Sequence, residues 1–382
     1  MLYFTRILML LYVAIYLIVT ISLILSNGYI TRKNAFLFYF ILPVFLCFGY
    51  MVGSDWRMYE TDFNYYLKTD SYGRDYGTEV LYKWLIRCFQ FIGFDFWWFT
   101  ITTKVIGYYV FFKMYRYFEF PQYYGLLLWL PYFALFLWID HPARNFLAII
   151  IYSIALKFIL ERKFIRYLLL CLLAFGMHSS SLALIPFYFY IVYRKNGKYW
   201  IDLCIVIAIF FIASEIRDLM ALLPETEMLM RLQNYGALED YQGQVSLEMF
   251  SIFCMLVAVA IMQVNKLRTM TRYADFIIKC SLVFCFLFGF ANINTILFRL
   301  PYFMILPYTI LVSLVFTVSY KCRYYKILRV FLICFFLYYT IHLVTRYFAY
   351  VPYSNYLEYI FQDKPSFVKR SNYNPDNSPY NQ

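Results

Sequence analysis

Long runs of apolar residues, separated by short polar segments, account for almost the whole chain. Each run holds about 17 residues or more, which is enough for a helix to cross a hydrocarbon layer of about 30 Å. This pattern predicts an all-α polytopic membrane protein with about 10–12 transmembrane helices, organised as a single integral membrane domain over residues 1–382. Individual spans are predicted at residues 7–26, 34–52, 95–112, 123–139, 144–160, 199–214, 247–264, 274–290, 300–318 and 330–346.

The connections between the apolar runs alternate between basic ones and ones that are acidic or nearly neutral. Lysine and arginine cluster in every second connection, and such clusters mark the cytoplasmic side of a membrane protein. The remaining connections are acidic or nearly neutral, so we expect them at the outer face. They comprise outer loops at residues 53–94 and 215–246 and an outer C-terminal tail at residues 347–382.

One interval does not fit this alternation. Arg166 and Arg194 are both assigned to the cytoplasm, but only about 27 residues separate them, too few for two full spans at about 1.5 Å per residue. We therefore expect a short or re-entrant hairpin, with His178 at its polar turn facing a cavity from the outer side, because irregular backbone at membrane depth must be buried in protein or line a watery cavity. A single kinked helix from Phe164 to Tyr193 is the alternative, and it breaks the charge alternation once.

Composition supports the membrane assignment and removes other classes of protein. The chain is 63% hydrophobic and only 15% charged, unlike soluble domains, which are about half apolar. Its net charge of +12 falls in short clusters beside apolar runs, so we expect the lipid bilayer and no nucleic acid as a partner. Most of the nine cysteines lie inside apolar runs, without CxxC spacing, and no nucleotide-binding glycine loop is present. We therefore expect no metal, disulfide framework or cofactor.

Four residues carry the candidate chemistry. The predicted topology brings Asp55, Arg144, His178 and Arg299 to the same leaflet, and ionisable residues in a membrane protein mark function by default. Guanidinium groups bind phosphate oxygens at two points and stay charged, while a histidine or a carboxylate can take the proton of a hydroxyl. The set therefore indicates an outward cavity for an anionic, lipid-linked substrate.

Each of these residues also has a structural interpretation. Asp55 can be a helix cap or a solvated loop acid. Arg144 and Arg299 can extend towards lipid headgroups, and His178 can be a histidine of the bundle core whose hydrogen bonds are satisfied.

A second polar segment precedes one of the predicted spans. Asp140 and His141 stand directly before Pro142, and proline is favoured in the first turn of a helix. We expect the two residues to cap the helix that Pro142 opens, with substrate contact as the alternative.

Three blocks of this sequence resemble the EpsG-like, Wzy-type polysaccharide polymerases of bacterial O-antigen, capsule and exopolysaccharide assembly. The first is "VGSDWRMYETDF", with an acidic element at "GTEVLYKWL". The second and most specific begins with "ARNFLAII" and ends with "GMHSSSLALIP"; the third is "FRLPYFMILPY". Related chains often carry an arginine shortly before the first block, where this chain has Gly49 and Tyr50; Arg57 is the substitute that we expect.

The resemblance implies a membrane glycosyltransferase at the outer face of the bacterial cytoplasmic membrane. A growing glycan would leave undecaprenyl diphosphate and join the next lipid-linked repeat unit, with a chain-length regulator open as a further partner. The implied catalytic residues are Arg144 and Arg299 on the diphosphates, His178 acting on or positioning them, and Asp55 or Glu79 as the best candidates for the general base. Asp140 and loop acids such as Glu239 remain open as the base. Substrate contacts are expected from Arg57, Tyr59, Glu79, Asp140, His141, Ser180, Asn292 and Asn294.

Other functions remain open on the residues alone. An O-antigen ligase would use the same donor, but usually places its chemistry in a much larger outer loop. A flippase for lipid-linked oligosaccharides would need charged or broken helices along the whole pore, whereas the cytoplasmic halves of the predicted helices are almost purely apolar. A membrane acyltransferase would want a carboxylate beside its histidine, and His178 has none adjacent in sequence.

Overall fold

The structure is a computed structural model, and it confirms the all-α polytopic fold. It describes residues 2–65, 79–118, 122–220, 246–293, 295–318, 323–346, 350 and 353–371, which are almost entirely helical. The helices are α1 (Leu2–Leu25), α2 (Leu37–Cys47), α3 (Trp56–Tyr65), α4 (Val80–Phe91), α5 (Phe96–Tyr117), α6 (Leu126–Asp140), α7 (Ala143–Leu160), α8 (Phe164–Phe175), α9 (Phe187–Tyr193), α10 (Tyr199–Met220), α11 (Leu247–Met262), α12 (Val264–Met270), α13 (Ala274–Phe290), α14 (Ile305–Val318), α15 (Arg323–Arg346) and α16 (Phe367–Ser371).

Every predicted span overlaps one of these helices, although the span 34–52 also includes strand β1 (Gly49–Tyr50). Among the described residues, three segments are long and apolar enough to cross a membrane alone, at Ala143–Leu160, Leu297–Val318 and Lys326–Thr345. A fourth qualifies if α11 and α12, which meet at 77°, form one bent span. The count of about 10–12 spans therefore stays a prediction.

The predicted outer loops contain more helix than expected. The loop at 53–94 includes α3 and α4, and α10 continues to Met220, so residues 215–220 are helical rather than loop. Residues 66–78 and 221–245 of these two loops lie outside the described residues.

The expected hairpin around His178 is present. The Tyr167 hydroxyl of α8 donates to the Leu184 carbonyl at 2.7 Å, and the Ser181 hydroxyl donates to the Cys171 carbonyl at 3.3 Å. These bonds pair the outgoing helix with a returning 3₁₀ helix, Ser179–Leu184. The chain therefore reverses at residues 176–178, and the alternative of a single kinked helix is wrong.

The core between the helices is largely aromatic. Phe284 of α13 stacks on Tyr308 of α14 with ring centroids 4.1 Å apart, and Phe253 of α11 meets Phe284 edge to face at 5.1 Å. The Tyr308 hydroxyl donates to the Phe253 carbonyl at 3.2 Å. Pairs of rings with such geometry add to the energy of apolar burial, and each buried hydroxyl needs a partner.

The path of α6 is set by a proline and by a left-handed residue. Pro131 lies inside a π-helical stretch, Trp129–Asp140; proline has no N–H for the α-helical ladder, and π-turns often accommodate such a break. His141 ends the helix at φ +54°, and its N–H donates to the Phe136 carbonyl at 3.0 Å. This turn delivers Asp140 to one end of the bundle and starts α7.

Two of the basic clusters, around Arg194 and Arg268, lie close together. Arg194 pairs with Asp202, Arg268 pairs with Asp275 at 2.8 Å, and the Tyr199 hydroxyl donates to Asp275. These contacts join the connection before α10 to the connection before α13.

The predicted C-terminal tail is packed against the site end of the bundle in its described part. Strand β1 (Gly49–Tyr50) pairs antiparallel with β2 (Ser354–Asn355), and the Tyr356 N–H donates to the Phe48 carbonyl at 2.8 Å. Further along, Arg370 donates to both carboxylate oxygens of Glu60 on α3, at 2.8 and 2.7 Å, and both residues are buried. Residues 353–371, called the C-terminal strap below, thereby hold α3 in place.

Two ion pairs of the C-terminal strap provide a stability test. Arg370→Ala leaves the buried Glu60 carboxylate without its cation, which should cost about 3–5 kcal/mol. Lys364→Ala removes the half-exposed pair with Asp95 and a contact with the Tyr356 ring, which together should cost about 1 kcal/mol. Limited proteolysis of the purified protein should therefore cut the Arg370→Ala strap much faster than the Lys364→Ala strap. Equal cutting rates would contradict the packing described above.

Candidate functional site

His178 is fixed in one tautomer by the turn that carries it. Its Nδ1 accepts the Ser180 N–H at 3.2 Å and contacts the Ser180 hydroxyl at 3.0 Å, so the imidazole caps the following 3₁₀ helix. A ring nitrogen that accepts an N–H carries no proton, so the neutral ring has its proton on Nε2. His178 is therefore arranged to donate a hydrogen bond from Nε2.

The two predicted arginines lie at the same place as this histidine. Both Arg299 and Arg144 interact electrostatically with His178, and both also act on the Tyr59 hydroxyl. The Arg144 guanidinium lies 5.8 Å from the centre of the Tyr59 ring. Arg144, His178 and Arg299, far apart in the sequence, thus lie close enough to interact electrostatically around Tyr59, and their roles stay a prediction.

Arg144 is held by a carboxylate. Its Nη1 lies 2.6 Å from Oε2 of Glu79, which directly precedes α4, and little of either side chain is exposed. The pair ties the first turn of α7 to the outer-loop segment. Because Glu79 is engaged in this way, Asp55 is the better placed of the two predicted general bases.

Arg299 differs from Arg144 in having no carboxylate partner among the residues that the structure describes. It is half-buried at the end of the 3₁₀ helix Thr295–Arg299, just before Pro301. Within the described residues, no hydrogen bond or ion pair to its guanidinium is found. A half-buried cation without a counter-ion is costly, so Arg299 is available to an anionic group of a substrate.

Tyr59 supplies a neutral donor between the charged groups. Burial raises the pKa of its phenol, and the nearby Arg144 and Arg299 only partly offset this effect. The hydroxyl therefore stays protonated at neutral pH. It lies within hydrogen-bonding reach of the Arg144 guanidinium.

Asp55 is connected to Asp140 through Ser54. The Asp140 Oδ1 accepts the Ser54 N–H at 2.5 Å and the Ser54 hydroxyl at 3.0 Å, and the same hydroxyl lies 3.1 Å from Asp55 Oδ1. Gly53 makes this approach possible: at its φ of +95°, a Cβ would lie 2.7 Å from the Asp140 Cα. Glycine is the residue that tolerates both conditions.

The expectation that Asp140 and His141 cap α7 is wrong. Pro142 occupies the N-cap position without a side-chain cap bond, and the Asp140 carboxylate accepts hydrogen bonds from Ser54 instead. The His141 Nδ1 lies 3.3 Å from the Leu137 carbonyl. The left-handed turn at His141 thus leaves the Asp140 carboxylate facing Ser54, while the His141 ring packs edge to face on Phe146 of α7 with centroids 5.0 Å apart.

A small cavity beside Asp140 is lined by a lysine that is not among the predicted site residues. Lys104 of α5 has 2% of its surface exposed and lines this cavity together with Asp140 and His141. Thr100 Oγ1 and His141 Nε2 are buried there with no hydrogen-bond partner in the part of the chain that is described. The one available signal was a lysine inside the predicted span 95–112.

The other residues predicted to contact substrate are known here only by their contacts within the fold. Arg57 lies over the ring of Trp56 on α3, with its Cζ 4.7 Å from the ring centre. Ser180 donates its N–H to the Nδ1 of His178. The Asn292 side chain donates to the Phe210 carbonyl at 3.4 Å, a contact to α10. Asn294 lies outside the described residues. Substrate contact by these four residues stays a prediction.

The ion pair of Arg144 and Glu79 predicts a compensation. Arg144→Met leaves a buried carboxylate unpaired and should cost roughly 3–5 kcal/mol. The double variant Arg144→Met/Glu79→Gln should recover most of that loss, because no buried charge is left alone. Thermal unfolding in detergent, followed by fluorescence-detected size exclusion, measures the difference. A double variant as unstable as the single one would contradict a direct pairing.

Comparison with known proteins gives one match. The EpsG family matches residues 33–360, which is most of the chain. Neither a curated protein nor a solved structure matches the chain significantly.

Proposed function

This chain belongs to the EpsG family, a family of Wzy-like polymerases, and from that premise we propose that it transfers a growing glycan from undecaprenyl diphosphate to a lipid-linked repeat unit. At the coarser level it is a polysaccharide polymerase-like membrane protein. The observation that carries the proposal is the meeting of Arg144, Arg299 and His178 around Tyr59. Only one of the two arginines has a carboxylate partner among the described residues.

The charges of the site suit a diphosphate leaving group. As the bond between the anomeric carbon and the diphosphate breaks, negative charge develops on the leaving phosphate oxygens. Arg299 and Arg144 would stabilise that charge, and His178 would donate a hydrogen bond from Nε2 to the same group. These contacts strengthen as the reaction proceeds, which is what lowers the barrier.

The acceptor sugar needs a base. Asp55 has no ion-pair partner within the described part of the chain, and it lies close enough to Tyr59 to interact with it electrostatically. In our proposal the Asp55 carboxylate takes the proton of the attacking hydroxyl, while Tyr59 donates a hydrogen bond to a sugar oxygen. Attack and departure then take place on opposite sides of the anomeric carbon.

The proposed location is the outer face of the bacterial cytoplasmic membrane. In support, Arg162 and Arg194 follow the ends of α7 and α9, away from Arg144 and His178, and basic connections usually remain in the cytoplasm. Accessibility labelling of single cysteines introduced at residues 87 and 195, which lie near opposite ends, would test this orientation. A reagent that does not cross membranes should reach the first position only.

The role of Arg299 gives a direct test of the function. Arg299→Ala should lower the polymerisation rate by about 10²–10³-fold, the usual loss for one group that stabilises a transition-state anion. Cells should then carry a single repeat unit on the lipid anchor instead of a ladder of chain lengths. Arg299→Lys should retain part of the activity, because it keeps the charge and loses the two-point geometry.

The matched control for this test is Arg87→Ala. Arg87 is an exposed arginine of α4, and its loss should leave the ladder unchanged. All variants need equal amounts of membrane-inserted protein. A normal ladder from Arg299→Ala would contradict the proposal, and a lipid anchor without any repeat unit would favour a flippase.

The tautomer of His178 gives a second test. His178→Gln keeps an N–H donor near the position of Nε2, so it should retain more activity than His178→Ala, whose rate should fall about 100-fold. The measurement is turnover of lipid-linked repeat units, extracted from cells that lack this chain, by purified protein. Equal losses in the two variants would contradict the donor role of Nε2.

A further inference from the structure

We propose that Asp55 and Asp140 act as one base, a pair of carboxylates bridged by the Ser54 hydroxyl, which together hold the single proton given up by the acceptor sugar. This inference rests on the proposed function, and it adds Asp140 and Ser54 as positioning residues for Asp55.

The number of protons in the bridge carries the argument. One hydroxyl lies 3.0 Å from Asp140 Oδ1 and 3.1 Å from Asp55 Oδ1, but it has only one proton to donate. While both carboxylates are ionised, one of these two contacts sets a hydroxyl lone pair against a carboxylate oxygen. When one further proton arrives, both contacts become hydrogen bonds.

The backbone makes the two ends of the bridge unequal. The Ser54 N–H also donates to Asp140 Oδ1, at 2.5 Å, whereas Asp55 has only the hydroxyl contact from Ser54. Asp55 also lies close enough to Tyr59 to interact with it electrostatically. Proton uptake by the pair is favoured by the new hydrogen bond in the bridge and by relief of the repulsion between the two carboxylates.

The transfer step balances as follows. The O–H bond of the acceptor breaks, and its electron pair forms the new bond to the anomeric carbon. The bond from that carbon to the diphosphate breaks, and its electron pair leaves with the undecaprenyl diphosphate. The proton stays in the Asp55–Ser54–Asp140 bridge until solvent takes it in the next cycle, and it belongs to the pair rather than to either carboxyl.

The surroundings of the bridge support a functional rather than a packing role. The cavity behind Asp140 contains the buried Lys104, which interacts electrostatically with both Asp140 and His141. Tyr59 on α3 interacts electrostatically with Asp55 as well as with Arg144 and Arg299, and it lines the same cavity. Thr100 and His141 also line it, and Thr100 Oγ1 and His141 Nε2 have no hydrogen-bond partner in the described part of the chain. The cavity has room for about one water molecule.

The experiment compares rate profiles against pH for the purified full chain, using lipid-linked repeat units extracted from cells that lack it. Asp140→Asn keeps an acceptor for Ser54 but removes the second charge. Its acidic limb should therefore move to lower pH by about one unit, which corresponds to a tenfold weaker base. Ser54→Ala should move the limb in the same direction, and Ser54→Thr should restore it. Glu358→Gln, at an exposed carboxylate of the C-terminal strap, is the matched control and should leave the profile unchanged.

Two outcomes would overturn the inference. If Asp140→Asn and Ser54→Ala lower the rate equally at every pH, the bridge is only structural. If Ser54→Ala keeps the profile of the parent protein, the hydroxyl does not connect the carboxylates; this variant decides the matter even where Asp140→Asn fails to fold. A parent protein that turns over no repeat units would overturn the proposed function instead.

Discussion

The ion pair between Arg144 and Glu79 is the interaction on which the geometry of the site depends. It joins the first turn of α7 to the segment before α4, and so fixes outer-loop polypeptide onto a spanning helix. Removing charged groups from water is costly unless they are paired. The fold meets that requirement for Arg144 and leaves Arg299 without a carboxylate in the described residues. The positive charge that remains is what an anionic substrate would neutralise.

The elements of the fold could be predicted because their causes are local. A helix in a membrane must satisfy its own backbone groups, so apolar runs of sufficient length identify helices directly. The hairpin followed from the same arithmetic, since the interval between Arg166 and Arg194 is too short for two full spans. The meeting of Arg144, His178 and Arg299 followed from topology alone, because alternation of spans brings their three connections to one end.

The contacts within the site could not be predicted, because they join residues that are remote in sequence. Ser54 and Asp140 are 86 positions apart. Their hydrogen bond depends on the left-handed turn at His141, and no local sequence pattern predicts that turn. Pro142 favours Asp140 as a cap of α7, but the turn at His141 places the Asp140 carboxylate against Ser54 instead. The same reason applies to the C-terminal strap. Arg370 pairs with Glu60, 310 positions earlier, and the residues around Arg370 do not predict this partner.

The base and the cations of the site are held by different parts of the fold. Asp55 stands before α3, which is held by Asp140 through Ser54 and by the C-terminal strap through Glu60. Arg144 and Arg299 belong to α7 and to the connection between α13 and α14. In the proposed reaction two lipid-linked glycans are bound at once, one losing its diphosphate and one losing a proton. The carboxylate proposed to serve the acceptor and the cations proposed to serve the leaving group would then be supported by different elements, which are joined at Asp140, the residue that ends α6 just before α7.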